Sequence, residues 1–175
     1  MRKADVENLM RFLTELQAET DRGLALVAAA VLDDKLRAVL IAFFVENTTA
    51  SKLLDSGNAP LGTLSARADA CVALGLIDEF EHQEITLVRK VRNEFAHGLH
   101  GTTFQTEPIR GYCSSLQANL PEGADHPTHD ARFRFTNSVV SLISTVLPIR
   151  VGFTRASDRQ TMGRSRASSM ARVGG

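Results

Sequence analysis

The densest group of chemically capable side chains in the sequence consists of Arg92, Asn93, Glu94 and His97. A guanidinium, an amide and an imidazole together could perform acid–base chemistry on a phosphodiester: the histidine would carry the proton and the arginine would stabilise charge on the phosphorane. Arg92 and His97 are five residues apart, so one regular helix separates them by roughly 140°. They converge only if the helix ends before His97 or if a second subunit supplies the missing partner. Otherwise, the three side chains hydrogen-bond the helix end and the following loop.

The residues around this group predict the helix that carries it. Apolar side chains recur at Leu87, Val88, Val91 and Phe95, which is the spacing of one helical face. The same spacing predicts that Phe80 and Glu84 lie on this side of the helix. Gly98 follows directly and is typical of a helix end. We therefore expect the polar group at the carboxyl end of a helix that buries its apolar side.

A second helix is needed to cover that apolar side. The run from about residue 21 to residue 46 is apolar on most sides, which predicts the central helix of a bundle. Asp33 and Asp34 interrupt it, and adjacent carboxylates inside an apolar run are costly unless one reaches water or a cation. They form either a solvated strip or an ion pair in which one aspartate holds Arg67 or Arg92 in place.

The remaining pattern is helical throughout. Helices are predicted at about 5–18, 21–46 with Asp21 as its cap, 48–56, 64–74, 78–98, 107–120 and 131–147. No stretch has the period of a strand, so we predict one all-α domain over residues 1–153, a bundle of about six to seven helices. Residues 154–175 contain arginines among Ser, Gly, Ala and Thr, with too few apolar residues for a core, and predict a disordered basic tail.

Composition excludes several classes of function. A chain of 175 residues with net charge zero and 43% hydrophobic residues is not built to coat nucleic acid or an anionic membrane. Its longest apolar run is shorter than the roughly 20 residues of a membrane span, so we expect a cytoplasmic protein. Cys71 and Cys113 match no zinc pattern and are expected to be buried thiols. His126 and His129 lie in a loop that nothing positions, so no metal or cofactor is predicted.

Residues 64–95 have the outline of a helix-turn-helix, but the charges do not suit DNA. A recognition helix places its first residues in the major groove. Here those residues are Asp78, Glu79, Glu81 and Glu84, whose carboxylates would repel phosphates. Direct DNA binding is therefore not expected.

Four segments resemble the mannitol operon repressor family in order and spacing: residues 32–36 (LDDKL), 59–67 (APLGTLSAR), 74–77 (LGLI) and 85–97 (ITLVRKVRNEFAH). The resemblance implies an all-helical, non-enzymatic regulator of mannitol or sugar-uptake genes. It further implies repression through a protein partner, such as a regulatory or sugar-transport component, and we expect a homodimer. The candidate polar site, binding or structural, contains Asp33, Asp34, Arg67, Arg92, Asn93 and His97.

The segment 92–97 is also similar to the Arg-x4-His signature of HEPN domains, helical proteins that include metal-independent endoribonucleases. This second resemblance implies that Arg92 and His97 are catalytic and Asn93 auxiliary, with RNA as the substrate and two subunits forming the site. We take the regulator as the first hypothesis and the ribonuclease as the alternative.

Overall fold

The described part of the chain consists of helices joined by short connections. A computed structural model describes residues 3–55, 58–98, 100–118 and 127–146. Its helices are α1 (Lys3–Ala18), α2 (Asp21–Phe43), α3 (Thr48–Asp55), α4 (Leu64–Ala73), α5 (Glu79–His97), α6 (Ile109–Ser114) and α7 (Ala131–Val146). No strand occurs in these ranges, which confirms the predicted all-α bundle. The predicted tail at 154–175 and the predicted domain end at residue 153 lie outside the described residues.

α2 is the central helix, as predicted. Its buried side chains contact α4, α5 and α7, and the most extensive helix–helix contact in the described residues joins α2 and α5. The cap is Thr20, whose Oγ1 accepts a hydrogen bond from Gly23 N at 3.1 Å, and Asp21 is the first helical residue rather than the cap. The helix ends at Phe43, earlier than predicted, because the backbone becomes extended at Phe44. The rings of Phe43 and Phe44 are partly buried against the core.

α4 and α5 form a helical hairpin with the predicted termini. Gly75 adopts a φ of 65° after α4, a left-handed conformation that glycine reaches without steric cost. Asp78 Oδ1 accepts a hydrogen bond from Glu81 N at 2.8 Å, and Glu81 Oε2 accepts one from Asp78 N at 2.9 Å. This reciprocal capping box fixes the start of α5. Gly98 caps its end.

Three aromatic rings fill the core beside the carboxyl half of α5. The ring centroids of Phe95 and Phe104 are 5.0 Å apart, and those of Phe104 and Phe135 are 5.2 Å apart. All three side chains are fully buried. Because each ring comes from a different part of the chain, the cluster joins α5, the connection after it and α7.

Asp21 and Arg132 hold the α1–α2 turn against α7. Asp21 Oδ1 forms an ion pair with Arg132 Nη1, and Asp21 Oδ2 accepts a hydrogen bond from Phe104 N at 3.1 Å. Arg132 Nη2 also donates to the carbonyl oxygens of Glu19 at 2.6 Å and Gln17 at 3.2 Å. Asp21 therefore stabilises tertiary contacts rather than capping α2.

α6 has six residues and is shorter than the helix predicted from 107 to 120. Arg134, on α7, donates a hydrogen bond from its Nε to Cys113 O at 3.1 Å. Gln117 N, which a longer helix would pair with that carbonyl, instead donates to Glu84 Oε1 at 2.8 Å. Tertiary partners thus replace the backbone hydrogen bonds that would continue α6.

The burial of Phe95 generates a test of the packing. Phe95→Ala should lower the free energy of unfolding by about 3–5 kcal/mol, because it removes a fully buried ring that contacts Phe104. Phe80→Ala is the matched control, since Phe80 lies on the same helix but is 44% exposed. Urea unfolding followed by circular dichroism measures both. Equal losses for the two variants would contradict the assigned faces of α5.

Candidate functional site

Arg67 fastens α4 to two neighbouring elements and is only 7% exposed. Its Nη1 donates to Asp33 Oδ2 at 2.5 Å, its Nε to Leu61 O at 2.9 Å and its Nη2 to Leu54 O at 3.4 Å. A buried guanidinium is tolerated when its donors are satisfied in this way. Of the two arginines considered as partners for the aspartates, the structure places Arg67 against Asp33.

Asp34 has a different environment from its neighbour. It is exposed on the outer side of α2, whereas the side chain of Asp33 is 30% exposed beside Arg67. One residue turns a helix by roughly 100°, which separates the two carboxylates. The solvated position thus belongs to Asp34 and the ion pair to Asp33.

The polar group at the end of α5 does not converge within one chain. Arg92 and His97 are exposed, and Arg92 Nη1 donates to Asn93 Oδ1 at 3.1 Å. α5 continues through His97, its last residue, so the angle of roughly 140° between Arg92 and His97 is kept. The carbonyl of Gly98 accepts a hydrogen bond from Arg22 Nη2 at 2.8 Å, so α2 holds this helix end. A catalytic pair would require a second subunit.

Glu84 is buried, on the same side of α5 as Val88, Val91 and Phe95, which is the side that its spacing predicted. It is 2% exposed, its Oε1 accepts from Gln117 N at 2.8 Å, and its Oε2 accepts from Ser138 Oγ at 2.5 Å. Glu84 lies one turn before Val88, on the buried face of the helix. It joins α5 to α7 and to the segment after α6.

The corner between α4 and α5 exposes two large apolar side chains among carboxylates. Leu74 is 41% exposed and Phe80 is 44% exposed, with Asp78 and Glu79 also exposed at the start of α5. We call these four residues the α4–α5 corner. Phe80 was expected on the core side of its helix, but Ile77, 2% exposed, occupies the core at this end of the hairpin. Exposed apolar groups with a polar rim are typical of protein contact surfaces.

The described residues offer little for metal or nucleophilic chemistry. They contain no group of three His, Cys, Asp or Glu side chains that could hold a metal ion. His129 is exposed, and His126 lies outside the described residues. Cys71 and Cys113 are buried, and burial raises the pKa of the Cys113 thiol to about 12. Such a thiol is a poor nucleophile near neutral pH.

Sequence reasoning missed the exposure of the α4–α5 corner. Phe80 fits the apolar stripe of α5 by spacing, so periodicity placed it in the core. Its neighbours Asp78, Glu79 and Glu81 are the feature that could have identified it, because three carboxylates around one aromatic ring favour solvent. Ser138 was missed because a serine within an apolar helix has no pattern that marks it as a partner for a buried acid.

The fold and these positions define a class of protein. In this all-α bundle the buried polar side chains fasten helices, and the exposed apolar corner with its polar rim suits a protein-interaction domain. No described helix is both long and apolar enough to cross a membrane. The sequence matches the family model of the mannitol repressor, MtlR, over residues 8–132, and the chain belongs to that family. The predicted family resemblance is confirmed.

A solved structure supports the same assignment. The chain is similar to a structure described as the X-ray structure of the MtlR-HPr complex from Escherichia coli, with a TM-score of 0.61 and 26% sequence identity. The match covers 79% of this chain and 97% of that chain. No curated protein matches the sequence. The comparisons give no support to the HEPN resemblance, and the ribonuclease alternative remains an untested prediction.

The Arg67 contacts predict a large effect of one substitution on stability. Arg67→Met should lower the free energy of unfolding by about 2–4 kcal/mol, because it leaves the partly buried Asp33 without its cation and two carbonyls without a donor. Arg110→Met is the matched control, since Arg110 pairs with Glu107 at the surface; it should cost under about 1 kcal/mol. Denaturant unfolding compares them, and an Arg67→Met protein as stable as wild type would contradict the assigned role.

The ribonuclease alternative has its own test. Because Arg92 and His97 lie on different sides of α5, we expect the wild-type protein to leave RNA intact in buffer containing EDTA. Gel analysis of a labelled RNA measures this, with the Arg92→Ala, His97→Ala double variant as control. Cleavage of the RNA by the wild-type protein, with none by the double variant, would show that the chain is a ribonuclease.

Proposed function

We propose that this chain is a cytoplasmic repressor of a mannitol or other sugar-uptake operon that acts by contact with a protein, and that HPr is the partner. Membership of the mannitol repressor family supports the regulatory role. The E. coli relative described in complex with HPr supports the partner. Within this chain, the α4–α5 corner is the surface that most strongly supports contact with a protein partner.

The α4–α5 corner suits a protein partner because it combines apolar contact with charge. Leu74 and Phe80 are among the few large apolar side chains more than one-third exposed in the described residues. Burying an exposed aromatic ring is a frequent source of binding free energy at protein interfaces. The carboxylates of Asp78 and Glu79 would select a partner surface whose rim is basic.

The same corner disfavours DNA. It occupies the position where a helix-turn-helix would present its recognition helix, yet the exposed side chains there are apolar or acidic. Neutralisation of phosphates by Lys and Arg supplies most non-specific affinity for DNA. Repression through a protein partner is therefore a better fit to this surface than direct reading of an operator.

The opposite end of α5 carries a positive charge, in contrast to the acidic α4–α5 corner, and serves as the comparison surface for the binding test. Arg92 is exposed, and no carboxylate among the described residues forms an ion pair with it. Asn93 and His97 accompany it at this end. These residues form the alternative location for partner contact, because their exposed polar groups are not needed to fasten helices.

Binding of the purified chain to HPr from the same organism tests the proposal. In isothermal titration calorimetry, Phe80→Ala should weaken binding by about tenfold or more, because it removes the exposed ring of the corner. Arg92→Ala should leave the affinity within about twofold of wild type, and both variants should keep the wild-type melting temperature. A loss of affinity with Arg92→Ala and none with Phe80→Ala would move the contact to the other end of α5.

Two further results would overturn the proposal itself. The first is the absence of any binding between wild-type chain and HPr at concentrations up to the highest soluble level. The second is tight, sequence-specific binding of the chain alone to an operator fragment. That result would mean that the chain recognises operator DNA directly and needs no protein partner.

A further inference from the structure

Positive and negative charge are separated along this chain. Residues 154–175, which we call the basic tail, contain five arginines and one aspartate, a net charge of +4. Because the whole chain has net charge zero, residues 1–153 carry −4. The negative charge is dense around the α4–α5 corner, since residues 68–88 contain five carboxylates and no lysine or arginine. Of these five carboxylates, only that of Glu84 is buried.

The last helix ends at the same end of the bundle as the α4–α5 corner. Near the start of α7, the ring of Phe135 packs through Phe104 against Phe95, near the carboxyl end of α5. Further along α7, Ser138 Oγ donates a hydrogen bond to Glu84 Oε2, in the amino-terminal half of α5. The two helices therefore run antiparallel. The carboxyl end of α7 lies beside the amino-terminal end of α5, where the corner is formed.

The chain that follows α7 is long enough to bring the basic tail to the corner. An extended chain spans roughly 3.3 Å per residue, so residues 147–153 extend up to about 23 Å from the end of α7. α5 contacts both α7 and α4. Neighbouring helix axes are about 8–10 Å apart, which places the corner about 20 Å from the end of α7. The tail therefore begins within reach of the corner without any change in the helices.

The residue types of the basic tail are complementary to those of the corner. Guanidinium groups pair with carboxylates and also stack on aromatic rings, and the corner offers both in Asp78, Glu79 and Phe80. The tail also contains Met162 and Met170, and thioethers make favourable contacts with aromatic rings. The opposite end of α5 carries a positive charge and would repel the tail.

We propose that the basic tail covers the α4–α5 corner of its own chain, so that a protein partner must displace the tail in order to bind there. The contact is intramolecular because the short connection holds the tail at a high effective concentration near the corner. Exposed ion pairs are individually weak, so a partner that also buries Phe80 can displace the tail. The contact between tail and corner is independent of the partner, whereas the competition rests on the proposed HPr function.

Paramagnetic relaxation in the full chain tests for the contact without any partner. A nitroxide attached to Ser165→Cys should broaden the amide resonances of residues 74–83 in low-salt buffer, relative to the same sample after reduction of the label. Ser165 is uncharged and lies between two of the tail's arginines, so the substitution keeps the charge of the tail. The native Cys71 and Cys113 are buried, so the label reacts with the introduced cysteine.

Three controls identify the contact as electrostatic and intramolecular. The broadening should disappear in about 1 M salt, where charges are screened within about 3 Å. It should weaken in the Asp78→Asn, Glu79→Gln chain, which loses two charges and keeps a residue that can cap α5. It should be absent when spin-labelled ¹⁴N chain is mixed with unlabelled ¹⁵N chain. Broadening in that mixture, broadening confined to the Arg92 end of α5, or no broadening at residues 74–83 overturns the proposal.

Calorimetric titration with HPr tests the competition. The full chain with all five tail arginines changed to glutamine should bind HPr about threefold to tenfold more tightly than wild type, because its corner is no longer partly occupied. The same five substitutions in the Asp78→Asn, Glu79→Gln chain should change the affinity by less than about twofold, since that corner holds the tail weakly. The difference between the two effects measures the coupling of tail and corner.

The outcomes separate this inference from the proposed function. Equal affinity of wild type and the glutamine variant for HPr overturns the competition, and weaker binding by that variant would mean that the tail contacts the partner instead of the corner. If neither chain binds HPr, the proposed function fails, and the relaxation data alone decide whether the tail covers the corner. An unchanged melting temperature of the glutamine variant shows that its change in affinity does not come from a change in stability.

Discussion

The contact between α2 and α5 is the interaction on which the rest of the structure depends. Both helices bury side chains along most of their length, including Leu32 and Leu36 from α2 and Val88 and Val91 from α5. Full burial of one such aliphatic side chain contributes roughly 1.5–3 kcal/mol. The other helices either pack against this pair or are fastened to it by side chains such as Arg67.

Hydrophobic periodicity was sufficient to predict most of the helices. The capping box at Asp78 and the end of α5 at Gly98 could be predicted because both depend only on residue types that lie close together in the sequence. The end of α6 could not be predicted, because it depends on Arg134, which reaches it from α7. Long-range partners of this kind leave no local pattern, since the residues that terminate the helix are far away in sequence.

Among the polar residues, too, the sequence predicted some features, whereas others depended on contacts formed only in the folded chain. Pairing of Asp33 with Arg67 was one of the stated alternatives, because a carboxylate in an apolar run needs a cation, but only the fold could select Arg67 over Arg92. The burial of Glu84 was decided by the phase of α5 rather than by residue type. Spacing predicted that Phe80 would be buried and was wrong, because the hairpin fills its core with Ile77 at that end.

The function that we propose follows from what the core leaves exposed. The α4–α5 corner displays the aromatic ring of Phe80 among the carboxylates of Asp78 and Glu79. This chemistry is complementary to a partner that offers apolar and basic groups. A regulator that recruits a second protein needs such a surface.

Hydrogen–deuterium exchange of the chain with and without the proposed HPr partner tests the central claim most directly. The account predicts added protection in the amides of residues 74–83, with unchanged exchange at the carboxyl end of α5. It also predicts that the amides at the α2–α5 contact exchange slowest in both samples, because opening them requires global unfolding. Protection confined to the region of Arg92 and His97, or fast exchange in α2, would contradict it.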